Sequence, residues 1–156
     1  MASEETAAAP ESGRFRFELA TPEALAASGD YGLVIVPGSE GDFGVLAGHA
    51  ALISSLRPGV VRAWREAAGG LPPDEAPEVW FVTGGFAEAG EGRLTLLVQE
   101  AEPVGEMDAA EIGQLLRNAR EDLEDVKGDD EAARDEIRAR IVLLEARLAA
   151  CSEQKN

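Results

Sequence analysis

The chain has 156 residues and a formal net charge of −16, which excludes the basic stripe of a nucleic-acid-binding protein and direct docking on anionic lipid. Its single cysteine excludes an internal disulfide, and its single histidine excludes a metal site built from several histidines. No apolar run approaches the roughly 20 residues that a membrane helix needs, so we predict no insertion into lipid. An acidic protein of this length can bind a basic patch on another protein.

The N-terminal residues 1–13 are rich in Ala, Glu and Ser, which predicts a disordered tail. They lack the apolar core of a signal peptide and the arginines of a transit peptide, so we expect a cytosolic chain. The alternation of Phe15, Phe17 and Leu19 then places three apolar side chains on one face of a first strand. Residues 31–36 predict a second strand, which is apolar enough to be covered on both faces.

Short strands separated by Gly- and Pro-rich segments continue to Val98. Residues 66–78 predict a loop between two strands, and Gly84-Gly85 predicts a turn after the strand at residues 79–83. No segment of helical length interrupts these strands, so the pattern favours a β-sandwich or barrel over a parallel α/β fold. We assign residues 14–105 to this β-domain.

From residue 106 the pattern changes to helical periodicity. Asp108 and Glu111 form a capping-box pattern at the start of a first helix, and Gly128 is placed to end it. Asp129 or Asp130 can cap a second helix. The apolar stripes are Ile112, Leu115, Leu116, Ala119, Leu123 and Val126 in the first helix, and Ile137, Ile141, Leu144 and Leu148 in the second. We assign residues 106–151 to an antiparallel helix-turn-helix and residues 152–156 to a C-terminal tail.

The segment 36–59 contains the histidine and several closely spaced glycines between two runs of strand-forming residues. Its charged or titratable side chains include Glu40, Asp42 and His49, which we take as candidate site residues. Its apolar side chains are expected to anchor the segment to the core: Phe43, Val45, Leu46, Leu52, Ile53 and Leu56. Periodicity alone predicts two hairpin connections, and the functional alternative is a rigid polar rim that faces a partner.

No set of catalytic residues accompanies this segment. The sequence contains no P-loop pattern. An acid/base cluster of Glu40, Asp42 and His49 would lack a nucleophile, oxyanion donors and a second histidine. We therefore expect a protein that is not an enzyme, with no cofactor, no metal and no catalytic residue.

The residues that match a known signature are Gly38, Glu40, Gly41, Gly44, Val45, Leu46, Gly48, His49, Ala50 and Leu52. In this stretch the chain resembles the epsilon subunit of rotary, F-type proton-translocating ATP synthases, which is called delta in mitochondria. Two family prolines are replaced, by Ala47 and Ala51. The resemblance continues through the strand segments at residues 83–86 and 94–98 and into the two C-terminal helices.

This resemblance implies a ten-stranded β-sandwich followed by a helical hairpin. It further implies a non-catalytic subunit of the central stalk, which couples c-ring rotation to the catalytic head through the gamma subunit. In the family, the acid that matches Asp42 faces the polar loops of the c-ring, and Glu40 and His49 lie on the same lower surface, near gamma. The expected location is peripheral, at the cytoplasmic face of the bacterial plasma (inner) membrane.

The helices of the family are regulatory, and the resemblance implies that they can reach the catalytic beta and alpha subunits and restrain ATP hydrolysis. Family members that bind ATP carry I/L-D-x-x-R-A at the first helix. Here the positions read Met107 to Ile112, and Glu111 replaces the arginine. A carboxylate repels phosphate, so we predict that this chain does not bind ATP.

Composition and pattern alone also fit a protein of a different class. This alternative is a soluble β-sandwich module that binds a ligand and uses the helical hairpin for dimerisation. Copurification with stalk and head subunits separates the two hypotheses.

Overall fold

The computed structural model describes residues 13–67 and 69–154. The predicted N-terminal tail lies outside the described residues, apart from Gly13, as do residues 155 and 156 of the predicted C-terminal tail. The strands are β1 Phe15–Ala20, β2 Leu25–Tyr31, β3 Leu33–Gly38, β4 Gly41–Leu46, β5 Leu52–Leu56, β6 Gly59–Trp64, β7 Glu78–Gly90 and β8 Arg93–Pro103, and the helices are a short 3-10 helix Val104–Glu106, α1 Ala109–Asp125 and α2 Glu131–Gln154. The chain divides into two compact units between Glu102 and Pro103.

The long strand β7 takes part in both layers of the first unit. Its first half pairs with β6, which in turn pairs with β3, and β3 pairs with β4. Its second half pairs with β5 and neighbours β8, which is followed by β1 and β2. The buried core includes Val34, Val36 and Val61 from the first layer and Leu94 and Leu96 from the second. This is the arrangement of a β-sandwich, with mixed rather than purely antiparallel pairing because β1 and β8 are parallel.

The expected fold class, a β-sandwich followed by two helices, is confirmed, but the expected count of ten strands is wrong for the described residues, which form eight. The predicted turn at Gly84-Gly85 is instead a bend inside β7. Both glycines have positive φ, 29° and 147°, so the strand changes direction there without ending. One continuous strand thus serves two layers where the pattern predicted two separate strands.

The predicted face of β1 is confirmed, because Phe15, Phe17 and Leu19 are fully buried. Phe17 meets the edge of Tyr31 with ring centroids 5.4 Å apart. The guanidinium of Arg65 lies 4.1 Å above the Tyr31 ring and its Nε donates to Glu78 Oε2 at 3.1 Å. Burial raises the pKa of Tyr31 well above its ordinary value, and its hydrogen bond with Glu78 raises the pKa further. The phenol is therefore a protonated structural group at the edge of the core.

Two strands, β2 and β4, were not predicted. The sequence of β2, L-A-A-S-G-D-Y, is small and polar, and it becomes a strand because β1 offers it an unsatisfied edge. The expected anchors of segment 36–59 are also corrected in part. Val45 and Leu56 are buried and Phe43 and Leu52 are partly buried, whereas Leu46 is 37% exposed and Ile53 is 75% exposed.

The second unit is the helical hairpin. Asp108 caps α1, since its Oδ1 accepts from the amides of Ala110 and Glu111 at 3.0 and 3.2 Å. Asp130, rather than Asp129, caps α2 by accepting from the amide of Ala133 at 3.1 Å. The unit has a small core of its own: Ile112, Leu116, Ala119, Leu144 and Cys151.

The two helices are antiparallel, because Arg120 pairs with Glu145 at 2.9 Å and Arg140 with Asp122 at 3.7 Å. Two boundaries differ from the prediction. Helix α1 ends at Asp125, so Val126 is its C-cap rather than part of its stripe. Helix α2 continues to Gln154, through residues that were assigned to a C-terminal tail from 152.

Gly85→Ala tests the bend in β7. A Cβ atom at this position would overlap the carbonyl oxygen of Leu97 and lie 2.8 Å from the Cα of Val98, in a backbone region that L residues avoid. We expect a loss of more than about 3 kcal/mol in the free energy of unfolding, measured by urea denaturation. The matched control is Gly84→Ala, where no atom lies within 4 Å and about 1 kcal/mol is expected. Equal losses for the two variants would contradict this account of the bend.

Candidate protein-binding surface

The turn between β3 and β4 is built from two residues, Ser39 and Glu40. Gly38 pairs with Gly41 across the base of the turn. Gly41 has a φ of 140°, and a Cβ at Gly38 would lie 2.6 Å from the carbonyl oxygen of Gly41. Both positions therefore require glycine, and the turn projects the exposed Glu40 from a fixed backbone.

The same turn is tied to the end of β5. The amide of Ser39 donates to the carbonyl of Ser55 at 2.9 Å, and the two hydroxyls lie 2.8 Å apart. The amide of Arg57 donates to the carbonyl of Pro37 at 3.1 Å. These bonds connect β5 to β3 beyond the single paired position Gly38–Leu56 that the strands themselves supply. The turn is thus held by bonds to β5 as well as by the pairing within its own β3–β4 hairpin.

Asp42 follows the turn in β4, and it has a partner. Its Oδ1 lies 2.5 Å from Nη2 of Arg57, and Nη1 of Arg57 donates to the carbonyl of Gly38. The side chains of Asp42 and Arg57 are both about half exposed. No hydrogen bond or ion pair within the described residues involves the carboxylate of Glu40. The two acids therefore differ: one is neutralised locally, and the other is available to a partner.

His49 lies at the other end of β4. Its amide donates to the carbonyl of Leu46 at 3.1 Å, and its Nδ1 lies 2.7 Å from the carbonyl oxygen of Ala50, which requires the Nδ1–H tautomer. The half-buried ring lines a narrow crevice with Phe15 and Gly92. A strand rises about 3.3 Å per residue, so the length of β4 separates His49 from the acidic turn. The structure thus brings Glu40 and Asp42 together and places His49 at the other end of β4.

An exposed apolar strip, which the sequence reasoning did not identify, lies on the outer face of the second layer. It consists of Ile53 in β5, Phe86 in β7 and Leu97 in β8, which are 75%, 60% and 57% exposed. Ser55 is paired with Phe86 and Ile53 with Glu88, so the first two members are diagonal neighbours on adjacent strands. An open groove of about 490 Å³ between Ile53 and Asp42 joins the strip to the acidic turn.

The alternation in β7 contains the signal that was missed. In the second half of β7 the buried residues are Ala87 and Ala89, whereas Phe86 is exposed. Strand side chains alternate between faces, so two small inward residues force Phe86 and Glu88 outward. Large apolar residues outside and small ones inside are typical of a sheet that packs against something on both faces.

The described residues offer no obvious site for chemistry. They contain no group of three His, Cys, Asp or Glu side chains that could hold a metal ion. No helix among them is long and apolar enough to cross a membrane. At the start of α1, Asp108 is committed to capping the helix and Glu111 is exposed in its first turn. The positions of the ATP motif thus present two carboxylates at this helix end.

An independently packed β-sandwich that carries a rigid acidic turn and an exposed apolar strip defines a protein-binding subunit. A family profile described as "ATP synthase, Delta/Epsilon chain, beta-sandwich domain" matches residues 14–104. The chain belongs to this family of ATP synthase delta/epsilon chains. The membership agrees with the expectation of a non-catalytic subunit.

Relatives cover most of the chain and most of their own length. The "ATP synthase epsilon chain" of Paramagnetospirillum magneticum is 42% identical over 120 residues, which are 77% of this chain and 85% of the relative. That of Parvibaculum lavamentivorans is 39% identical over 117 residues, 75% and 83% of the two chains. That of Rhodospirillum centenum is 35% identical over 146 residues, 92% and 95% of the two chains. The last alignment extends the similarity into the helical unit.

Solved structures agree with the fold. A chain of the Euglena gracilis mitochondrial ATP synthase, in a structure of its OSCP, F1 and c-ring, superimposes with a TM-score of 0.72 at 25% identity. The match covers 88% of this chain and 81% of that one. A chain of the Tetrahymena thermophila mitochondrial ATP synthase central stalk and c-ring has a TM-score of 0.56 at 13% identity, covering 87% and 95% of the two chains, which shows the shared fold alone.

We expect the isolated chain not to bind ATP. Glu111 stands where a guanidinium would hold phosphate with two hydrogen bonds, and Asp108 adds a second negative charge at the same helix end. Isothermal titration calorimetry with ATP and Mg²⁺ should show no heat of binding at micromolar concentrations. Low-micromolar binding by the wild-type chain would overturn this prediction.

Proposed function

We propose that this chain is a non-catalytic subunit of the central stalk of an F-type ATP synthase, where it binds the gamma subunit and rests on the polar loops of the c-ring. The observation that carries the proposal is the acidic turn beside the apolar strip, on a sandwich of the delta/epsilon family. The chain supplies no chemistry. It transmits rotation between the ring and the catalytic head.

The acidic turn is suited to the c-ring. Glu40 and Asp42 project from a backbone that Gly41 and two bonds to β5 hold in one geometry. Charges on a fixed turn can meet basic or polar loops in one register and repel others. A rigid contact is also what a rotating part requires, because a compliant turn would absorb the motion it has to transmit.

The apolar strip is suited to the gamma subunit. Three large side chains that are more than half exposed form a surface that water solvates poorly. A permanent subunit interface buries such surface, whereas a transient contact is more polar. We also assign His49 to a contact with gamma. Its ring is held by the carbonyl of Ala50, which leaves Nε2 as an acceptor for a partner's donor.

The helical unit is suited to regulation. Its core is small, and Leu115 and Val142 are 47% and 60% exposed on its two helices. We propose that the hairpin reaches the catalytic beta and alpha subunits and restrains ATP hydrolysis. The two carboxylates at the start of α1 disfavour ATP, so this restraint would not depend on ATP bound to the chain itself.

The location that follows is peripheral to a membrane through the c-ring. For a bacterial enzyme this is the cytoplasmic face of the plasma (inner) membrane. The charge of −16 supports contact through a protein partner, since an acidic surface is repelled by anionic lipid.

The apolar strip provides a test of the proposed function. Phe86→Ser with Leu97→Ser removes two exposed apolar side chains, and we expect the affinity for a gamma-c-ring subcomplex that lacks this subunit to fall about tenfold or more. The measurement is a reconstitution titration of the full chain. The control is Leu25→Ser, which removes a side chain of equal exposure, 57%, from the edge strand β2. Wild-type affinity in the double variant would exclude the strip as the interface, and failure of the wild-type chain to bind would refute the proposed function.

A chain that ends at Glu106 tests the division of labour between the two units. The sandwich has its own core of large side chains, each stabilising by roughly 1.5–3 kcal/mol, so we expect this fragment to fold and to bind gamma. The complex that contains it should support ATP synthesis, and its ATP hydrolysis should rise modestly. Circular dichroism checks folding, and paired synthesis and hydrolysis assays check function. An unfolded fragment, or one that does not join the stalk, would contradict the division.

A further inference from the structure

The ion pair between Asp42 and Arg57 changes which carboxylate of the acidic turn is available to a partner. The two residues lie 15 positions apart, on β4 and directly after β5, and Nη2 of Arg57 is 2.5 Å from Oδ1 of Asp42. The second arm of the guanidinium donates to the carbonyl of Gly38 at the base of the turn. One side chain thus binds both strands of the β3–β4 hairpin.

The charges of the turn are unequal as a result. Asp42 and Arg57 cancel, which leaves one net negative charge, on Glu40. A basic group of a partner that approaches Asp42 meets a carboxylate whose charge is already paired with Arg57, and the guanidinium repels the incoming cation. Glu40 has no such competitor within the described residues, and it is exposed. The pairing of an incoming cation with Glu40 therefore costs less free energy than its pairing with Asp42.

We propose that Arg57 is a positioning residue, which neutralises Asp42 and fixes the turn so that Glu40 is the carboxylate that binds a cationic loop of the partner. This inference rests on the proposed function for the identity of the partner, and it differs from the family expectation, in which the acid that matches Asp42 makes the contact. Asp42 acts through Arg57, and not by touching the partner.

The contacts of the turn explain why such a clamp is needed. Within the described residues, Ser39 and Glu40 are held by the bonds of Ser39 to Ser55 and by no other hydrogen bond of their own. An exposed ion pair contributes little to global stability. Its effect is therefore expected in the order of the turn and in binding, and not in the unfolding of the sandwich.

The first measurement is the affinity of the full-length chain for the gamma-c-ring subcomplex. Arg57→Gln and Asp42→Arg should each weaken binding about threefold or more, and the charge-swapped double variant Asp42→Arg/Arg57→Asp should return it to within about twofold of wild type. Glu40→Gln should weaken binding in both the wild-type and the swapped backgrounds and reduce its salt dependence. The control, Arg120→Gln, removes the same charge from an exposed ion pair of the helical unit and should leave the affinity unchanged.

The second measurement needs no partner. The amide of Ser39, which donates to Ser55, should exchange hydrogen severalfold faster in Arg57→Gln and return to the wild-type rate in the swapped variant. Arg120→Gln should not change this rate. This measurement reports the order of the turn directly, so it separates the clamp from any general effect of charge.

The outcomes separate the inference from the proposed function. If Arg57→Gln binds as well as or better than wild type, and the swapped variant binds as weakly as Asp42→Arg, then Asp42 is the presented acid and the inference is wrong while the proposed function stands. If the wild-type chain does not bind the subcomplex at all, both the proposed function and the role of Glu40 are wrong. An unchanged exchange rate of Ser39 in Arg57→Gln would refute the clamp independently of binding.

Discussion

The bend of β7 at Gly84 and Gly85 is the constraint on which the sandwich depends. Because the strand pairs with β6 before the bend and with β5 after it, the two layers are joined by covalent chain as well as by packing. A side chain at Gly85 would collide with the backbone of β8, so the close approach of the two strands requires glycine there. The layers cannot slide relative to each other without breaking the pairing of β7.

The position of the acidic turn follows from this arrangement. The second half of β7 fixes β5, and the end of β5 places Ser55 and Arg57 against the turn of the neighbouring hairpin. The same pairing places Phe86 beside Ser55 and so aligns the apolar strip with the turn. The position of the candidate binding surface is therefore set by β7, although the residues of that surface lie outside the buried core.

Local patterns were sufficient to predict the parts of the fold that depend on one segment alone. The buried face of β1 follows from alternation, and the cap at Asp108 follows from the chemistry of a helix start. The parts that depend on pairing were missed. Strand β2 has weak intrinsic preference and forms because β1 is beside it, and the continuity of β7 depends on β8 and β5 being close to its glycines. The intrinsic strand propensity of a segment gives no information about such contacts, because they join positions that are distant in the chain.

In the candidate site, too, the features that depend on one segment could be predicted, whereas those that depend on contacts between segments could not. The signature indicated Glu40, Asp42 and His49 as residues of interest, but it could not indicate that Arg57 neutralises one of the acids or that the length of β4 separates the histidine from both. A count of acidic residues would give this turn two negative charges, whereas the structure leaves one unpaired. In a chain whose net charge is −16, an acidic residue is too common to provide specificity by its charge alone. On the function proposed above, specificity comes from the place where the unpaired carboxylate of Glu40 is held on a rigid turn beside exposed apolar side chains.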